Sequence, residues 1–128
     1  MEMRLELVPL PVSDVDRALA FYVEKVGFHL DHDVGSQDGA LRVVQLTPPG
    51  SACSIVIGKG LGEVDEMRPG AVKGLHLVVA DVAAAREELA SRGVAVSAVD
   101  EHPQGIKYAY FSDPDGNSWA LQEIPADA

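Results

Sequence analysis

The sequence has a single cysteine, few aromatic side chains and half as many basic as acidic residues. Cys53 cannot form a disulfide within the chain, which is compatible with a reducing compartment. Twenty Asp and Glu against ten Lys and Arg give a formal net charge of −10, which opposes binding to phosphate backbones and to anionic membranes. We therefore expect neither nucleic acid nor a membrane among its partners.

Long hydrophobic runs are missing as well. No segment approaches the roughly 20 consecutive apolar residues that cross a bilayer, and residues 1–6 do not show the basic-then-apolar order of a signal peptide. These features predict a cytoplasmic protein. With 128 residues, of which 47% are hydrophobic and 23% charged, the composition is that of one globular unit with a single core.

The chain does contain an internal repeat of strand and helix signals. Asp14 and Asp81 are each suited to cap a helix, since a carboxylate accepts hydrogen bonds from the free amides of a first turn. Apolar residues follow both at helical spacing, and Gly27 and Gly93 suit the left-handed conformation that ends a helix. The predicted strands are residues 5–12, 28–34, 40–47 and 52–58, and then 75–79, 94–99, 106–111 and 118–124.

Two tandem modules of strand-helix-strand-strand-strand order follow from this pattern. Module 1 covers residues 1–58, a loop covers 59–73, and module 2 covers 74–125. Within this repeat stand the motifs VSD (12–14), ALAFY (18–22) and VGF (26–28), and the turn DPDGN (113–117).

These motifs and their order resemble the vicinal oxygen chelate superfamily, which includes glyoxalase I, bleomycin-resistance and fosfomycin-resistance proteins and extradiol dioxygenases. The resemblance covers nearly the whole chain. It implies an α+β fold in which tandem βαβββ modules form a curved mixed sheet around a cleft. It also implies that the chains pair as homodimers.

Enzymes of this superfamily hold a divalent metal on His and Glu side chains. The resemblance places three of these ligand positions at Leu7, Gly74 and Ala120, and a fourth in strand 53–57, where no His, Glu or Asp occurs. Leucine, glycine and alanine have no side-chain donor for such a cation. The usual metal site is therefore expected to be absent, and we predict neither a metal nor another cofactor.

Strand alternation gives an independent view of the same positions. The apolar parities, such as Val8 with Leu10 and Trp119 with Leu121, are expected to pack under the helices. The residues that alternate with these point to the other face of each strand, toward the cleft. They are Leu7, Gly74, His76, Ala120 and Gln122. Tyr108 and Tyr110 share a parity in the next strand, and we expect them either to line the same pocket or to pack in the core.

His76 is the sharpest candidate for chemistry on this face. Its imidazole could bind a ligand or act as a general acid or base near neutral pH. The structural alternative is a strand histidine bonded to nearby backbone or water. Gln122 could offer the same pocket a donor and acceptors.

Other polar residues are weaker candidates for a functional site. Alternation divides the run His29, Asp31, His32 and Asp33 between two faces, so a solvated strand is expected there rather than a metal site. His102 is expected in a hairpin loop that could border the cleft. Cys53 is expected to be a buried structural thiol, and Arg42 a surface arginine of a strand.

Two functions remain open from the sequence. In the first, the protein resembles the bleomycin-resistance branch and binds a small organic molecule in an apolar cleft without a metal. In the second, it is an enzyme of the same fold, a lyase, isomerase or hydrolase, that uses His76 as general acid or base, or a metal held by atypical ligands. The missing ligand side chains favour the first.

Overall fold

Two four-stranded mixed sheets form the scaffold in this computed structural model, which describes residues 1–126. The first sheet contains β1 (Leu7–Pro9), β2 (His29–Gly35), β3 (Arg42–Thr47) and β4 (Ser54–Lys59), in the order β1-β4-β3-β2. The second contains β5 (Leu75–Val78), β6 (Asp100–Glu101), β7 (Lys107–Ser112) and β8 (Ser118–Glu123), in the order β5-β8-β7-β6. In both sheets the first strand pairs parallel with the last. The predicted α+β fold is confirmed.

The two helices begin and end where the capping signals predict. Helix α1 (Val15–Ala20) continues into a π-helical turn (Phe21–Val26), and α2 spans Val82–Ser91. The carboxylates of Asp14 and Asp81 each accept an amide hydrogen bond of 3.0 Å from the first turn. Gly27 ends the first helical segment at φ +96°. No helix within residues 1–126 is long and apolar enough to cross a bilayer.

The strand predicted at residues 94–99 is wrong, and a two-residue strand, β6, forms after it instead. Ser97 explains the difference because its side chain takes part in the pairing with β7. Its amide donates to the Tyr110 carbonyl (2.9 Å), while its hydroxyl accepts from the Tyr110 amide (2.9 Å). Arg86 Nε donates a hydrogen bond to the Ser97 carbonyl oxygen at 2.6 Å. A hydroxyl in place of a backbone carbonyl prevents a regular ladder.

One hydrophobic core joins the two modules through aromatic rings. Tyr22, with no exposed surface, stacks on Phe28 at 5.4 Å between centroids and meets Trp119 edge-on at 5.8 Å. Trp119 in turn stacks on Phe111 at 6.2 Å. Aromatic pairs in these geometries add to the stabilisation gained from apolar burial. The helix that follows β1 is therefore packed against the last strand of the other sheet.

A buried carboxylate lies beside these rings. Asp113, 5% exposed, accepts from the Tyr22 hydroxyl (2.9 Å) and from Asn117 Nδ2 (2.8 Å) on one oxygen. Its other oxygen accepts from the amides of Asp115, Gly116 and Asn117 at 2.9–3.0 Å. Trp119 Nε1 donates to the Tyr22 hydroxyl at 2.9 Å. Burial, reinforced by the Asp113 charge, raises the pKa of Tyr22 well above its usual range.

The turn 113–117 also holds the start of α1 and the loop between modules. Asp115 accepts from the Ser13 amide (3.0 Å) and hydroxyl (2.6 Å), and Asn117 Nδ2 donates to the Pro11 carbonyl at 2.9 Å. Gly70 passes so close that a Cβ there would lie 2.1 Å from the Asp115 carbonyl oxygen. The predicted tight turn is thus a junction between both modules and the loop 59–73.

Removing the Tyr22 hydroxyl should weaken this junction. Tyr22→Phe keeps the ring but removes one of the two side-chain donors to the buried Asp113 oxygen and leaves the Trp119 N–H without its partner. We expect a loss of about 1–3 kcal/mol in the free energy of unfolding, measured by urea denaturation. Tyr110→Phe, whose hydroxyl is at the surface, is the matched control and should change it by less than about 0.5 kcal/mol. Equal effects of the two substitutions would contradict the role assigned to the buried hydroxyl.

Candidate functional site

The second sheet has one face turned away from the aromatic core, which we call the open face. The residues on this face are Gly74, His76, Val78, Tyr108, Tyr110, Ser112, Ser118, Ala120 and Gln122. A cavity of about 610 Å³ lies on it. Of the predicted site residues, Gly74, His76, Tyr110 and Ala120 line this cavity, which is the size of a small-molecule pocket.

Strand register explains why a hollow forms here. Ala120 of β8 lies between His76 of β5 and Tyr110 of β7, its partners on either side in the sheet. A methyl group between an imidazole and a phenol ring leaves space that larger side chains would fill. At the end of the hollow, Gly74 adds no side chain, and a Cβ built on it would have no atom within 4 Å. The floor of the cavity is therefore small and apolar.

The tautomer of His76 follows from its backbone contact. Its Nδ1 lies 2.6 Å from the Gly74 carbonyl oxygen, and a carbonyl oxygen only accepts hydrogen bonds. Nδ1 therefore carries the proton, and Nε2 of the neutral ring carries the lone pair. His76 can accept a hydrogen bond from a ligand or take a proton from it. The alternative of a histidine bonded to backbone is realised at Nδ1, and a role of Nε2 toward a ligand stays a prediction.

A row of rings forms the wall of the open face. Tyr108 meets His76 edge-on at 5.7 Å and His102 at 5.1 Å, and it stacks on Tyr110 at 6.1 Å with an interplanar angle of 10°. Gln122 Nε2 donates to the Tyr108 hydroxyl at 3.2 Å, so this amide orients the wall. Such a wall offers broad apolar contact and π-stacking to a planar ligand.

The rim beyond the wall is charged. Asp100 lies 2.9 Å from His102 Nε2 and accepts from the Tyr110 hydroxyl at 3.2 Å. The His102 contact holds the pKa of Asp100 below its usual value. Partial burial, with Asp100 as a further cause, raises the pKa of Tyr110, so its hydroxyl stays protonated. His102 thus borders the open face, as its position in a loop predicts.

Tyr108 and Gln122 lie on the open face but do not line this cavity. Leu7 is the predicted site residue that the structure places in the other sheet. It lies in the first sheet, paired with Ser54, and does not line the cavity. Throughout residues 1–126, no group of three His, Cys, Asp or Glu side chains is placed to hold a metal ion. Because Leu7, Gly74 and Ala120 have no donor atoms, the residues present do not fit the metal of the related enzymes.

Reasoning from sequence missed five residues of the cavity lining: Ala95, Phe111, Ser112, Ser118 and Trp119. Ser118 and Ser112 share the parity of Ala120 and Tyr110, so alternation alone could have found them. Ala95 follows α2 in a stretch without regular pairing, and nothing in the pattern indicates its position.

The run His29, Asp31, His32 and Asp33 is divided between two faces of a mostly exposed strand, as predicted, but the division does not follow simple alternation. A bulge shifts the register between Leu30 and His32, so His29 pairs with Thr47 and His32 with Gln45. Thr47 and Gln45 are two residues apart and share a face, which means that both histidines lie on it too. Asp33 falls on the other face, where Arg42 binds it at 2.9 Å and Asp16 at 2.7 Å.

Comparisons with known proteins agree with this architecture. The model of the Glyoxalase/Bleomycin resistance protein/Dioxygenase superfamily matches residues 4–121. Among solved structures, TnmS3, an antibiotic binding protein from Streptomyces sp. CB03234, is 39% identical with a TM-score of 0.82, over 97% of this chain and 98% of that one.

Two further structures extend the comparison. A glyoxalase/bleomycin resistance protein from Streptomyces sp. CB03234 is 41% identical (TM-score 0.76, covering 92% of this chain and 98% of that one). A superfamily member from Sphaerobacter thermophilus DSM 20745 is 32% identical (TM-score 0.81, covering 95% and 98%). A search of curated proteins found no significant match. With its paired βαβββ modules and this match over most of its length, the chain belongs to the glyoxalase/bleomycin resistance protein/dioxygenase superfamily.

Proposed function

We propose that this protein binds a small aromatic molecule on the open face of the second sheet, without a metal ion. The observation that carries the proposal is the methyl group of Ala120 at the floor of a cavity of about 610 Å³, flanked by His76 and Tyr110. Stacking on Tyr108 and Tyr110 would supply affinity, and His76 Nε2 would accept one hydrogen bond that sets orientation.

The similarity to an antibiotic binding protein supports binding rather than catalysis. TnmS3 shares 39% identity over nearly the whole length of both chains. Sequestration requires shape and a few polar contacts, whereas Lewis-acid catalysis requires ligands that Leu7, Gly74 and Ala120 do not supply. The net charge of −10 favours a neutral or cationic ligand over a polyanion or nucleic acid.

We further propose that the protein is a homodimer of single-domain chains in the cytoplasm. Apolar side chains at Met3 and Leu5 are 81% and 68% exposed, and a second copy would cover them. Cys53, a free and half-buried thiol, is compatible with a reducing compartment.

An enzymatic function is the second candidate, and the His76 tautomer is the observation that favours it. A neutral imidazole with its lone pair on Nε2 is the form that a general base requires. Such an enzyme would be a lyase, isomerase or hydrolase acting on a ligand held against the Tyr108 wall.

Native mass spectrometry of protein purified without a histidine tag tests the ligand, metal and dimer proposals together. We expect the mass of two chains with no divalent metal, and a noncovalent small molecule retained or taken up from a panel of aromatic antibiotics that includes bleomycin. A stoichiometric metal adduct would overturn the metal-free proposal. A monomeric mass at micromolar concentration would overturn the dimer.

Filling the hollow should weaken binding. In Ala120→Phe the new ring would occupy the space between His76 and Tyr110. We expect it to weaken the binding of anthracene-9-methanol at least tenfold in a fluorescence titration, with an unchanged circular dichroism spectrum. Ala83→Phe, at an exposed position of α2, is the control and should bind as the wild type does. Unchanged affinity in Ala120→Phe would place the ligand elsewhere.

Substitution of His76 separates binder from enzyme. For a binder, His76→Ala should weaken a ligand that donates a hydrogen bond to Nε2 by about 0.5–1.5 kcal/mol, while the ligand is recovered unchanged from both proteins. Chemical conversion of the retained compound by the wild type, lost in His76→Ala with binding preserved, would establish the enzyme instead. Liquid chromatography of the incubated compound measures this directly.

A further inference from the structure

The first sheet carries a polar group on the face equivalent to the open face. We call Asp31, Gln45, Thr47 and Ser54 the Asp31 row. Ser54 of β4 lies beside Thr47 of β3, and their hydroxyls are 2.6 Å apart. Thr47 donates to Asp31 Oδ2, and Gln45 Nε2 lies 3.3 Å from the Ser54 hydroxyl. The row thus ends in a carboxylate that hydroxyl and amide groups hold in place.

The bulge in β2 brings this carboxylate onto the sheet. Asp31 is the extra residue between Leu30 and His32, which pair with Leu46 and Gln45. It is also the one residue of β2 that is not exposed, and its side chain is 20% exposed. Bulges commonly re-aim a side chain at a functional site. The extra residue interrupts the regular pairing of β2 with β3, and it directs the Asp31 carboxylate inward.

The charge of Asp31 lacks a strong cationic partner. Three other aspartates of the chain are paired with arginine: Asp33 and Asp16 with Arg42, and Asp115 with Arg17. Within residues 1–126, the ion-pair contact of Asp31 is His29 Nε2 at 3.7 Å, a 77% exposed side chain that is charged only when protonated. A carboxylate withdrawn from water without a permanent cation favours a positively charged ligand group.

The Asp31 row reaches a cavity beside the proposed ligand site through Ser54, whereas Asp31, Gln45 and Thr47 do not line that cavity. Ser54 lines a cavity of about 200 Å³ that lies between the two sheets. His76 and Trp119 line this cavity and also the larger one on the open face. A ligand on the open face that extends past His76 into the smaller cavity would therefore reach Ser54, at one end of the Asp31 row.

We infer that the Asp31 row is a second part of the ligand site and binds a protonated amine carried by the aromatic ligand. The inference rests on the proposed function and specifies its ligand class. The aromatic part contacts Tyr108 and Tyr110, and the ammonium group donates to Asp31 with the Ser54 and Thr47 hydroxyls beside it.

Three anthracene probes of nearly equal size test the charge preference. They carry an aminomethyl group (cationic at pH 7), a hydroxymethyl group (neutral) or a carboxylate. Fluorescence titration of the wild type should show the cationic probe bound at least tenfold more tightly than the neutral one, and the anion bound weakest. This comparison needs no variant, so it does not depend on how a substitution folds.

Asp31→Asn, with Asp33→Asn as its control, shows which carboxylate causes the preference for the cationic probe. Each removes one negative charge from β2, but Asp33 lies on the opposite face with Arg42. Asp31→Asn should lower the affinity for the cationic probe about tenfold, equivalent to about 1.4 kcal/mol, and change that for the neutral probe less than twofold. Asp33→Asn should keep the preference of the wild type.

Failure of this inference can be told from failure of the proposed function. If the wild type binds the cationic and neutral probes equally, or if both substitutions reduce cation binding alike, the Asp31 assignment is overturned and aromatic binding stands. If the wild type binds none of the probes, both are overturned.

Discussion

The buried carboxylate of Asp113 is the interaction on which the rest of the structure depends. Placing a charge in a protein interior is unfavourable unless hydrogen bonds replace its water. Five donors do so here: three amides of its own turn, the Asn117 amide group and the Tyr22 hydroxyl. Four of them come from the turn, and the fifth comes from the other module. The charge is therefore satisfied only when the two modules are together.

Because of this arrangement, the two faces of the second sheet have different roles. On the core face, the turn, Tyr22 and Trp119 hold β8 against α1, so that strand has a rigid position without help from the other side. On the open face, Ala120 needs no packing partner, and a hollow can exist there at little cost to stability. The resemblance to superfamily enzymes places a metal ligand at position 120, where this chain has a methyl group.

Much of the fold could be predicted from sequence because its signals are local. Asp14, Asp81 and Gly27 cap helices through contacts with adjacent turns, and alternation assigned His76 and Ala120 to one face. The module boundaries at residues 58 and 74 and the roles of the site residues remain predictions.

The predictions that were wrong concern features that depend on contacts between residues distant in sequence. Ser97 replaces a ladder bond to Tyr110 with its side chain, and the bulge at Asp31 is defined only by pairing with β3. Composition also gave no sign that Gln122 would orient Tyr108. In both sheets, the pairing partner decides which face a side chain occupies, and a single sequence does not name that partner.

The parallel pairing of first and last strands has a consequence for how the chain folds. β1 pairs with residues of β4 that lie 47 positions later, and β5 pairs with residues of β8 that lie 44 positions later. The Tyr22 hydroxyl contacts a carboxylate 91 positions away. Contacts of such sequence separation slow folding, since long loops must close before any stabilisation is gained. During synthesis, α1 would leave the ribosome long before Trp119. The aromatic face of α1 would therefore stay exposed to solvent until β8 had been made.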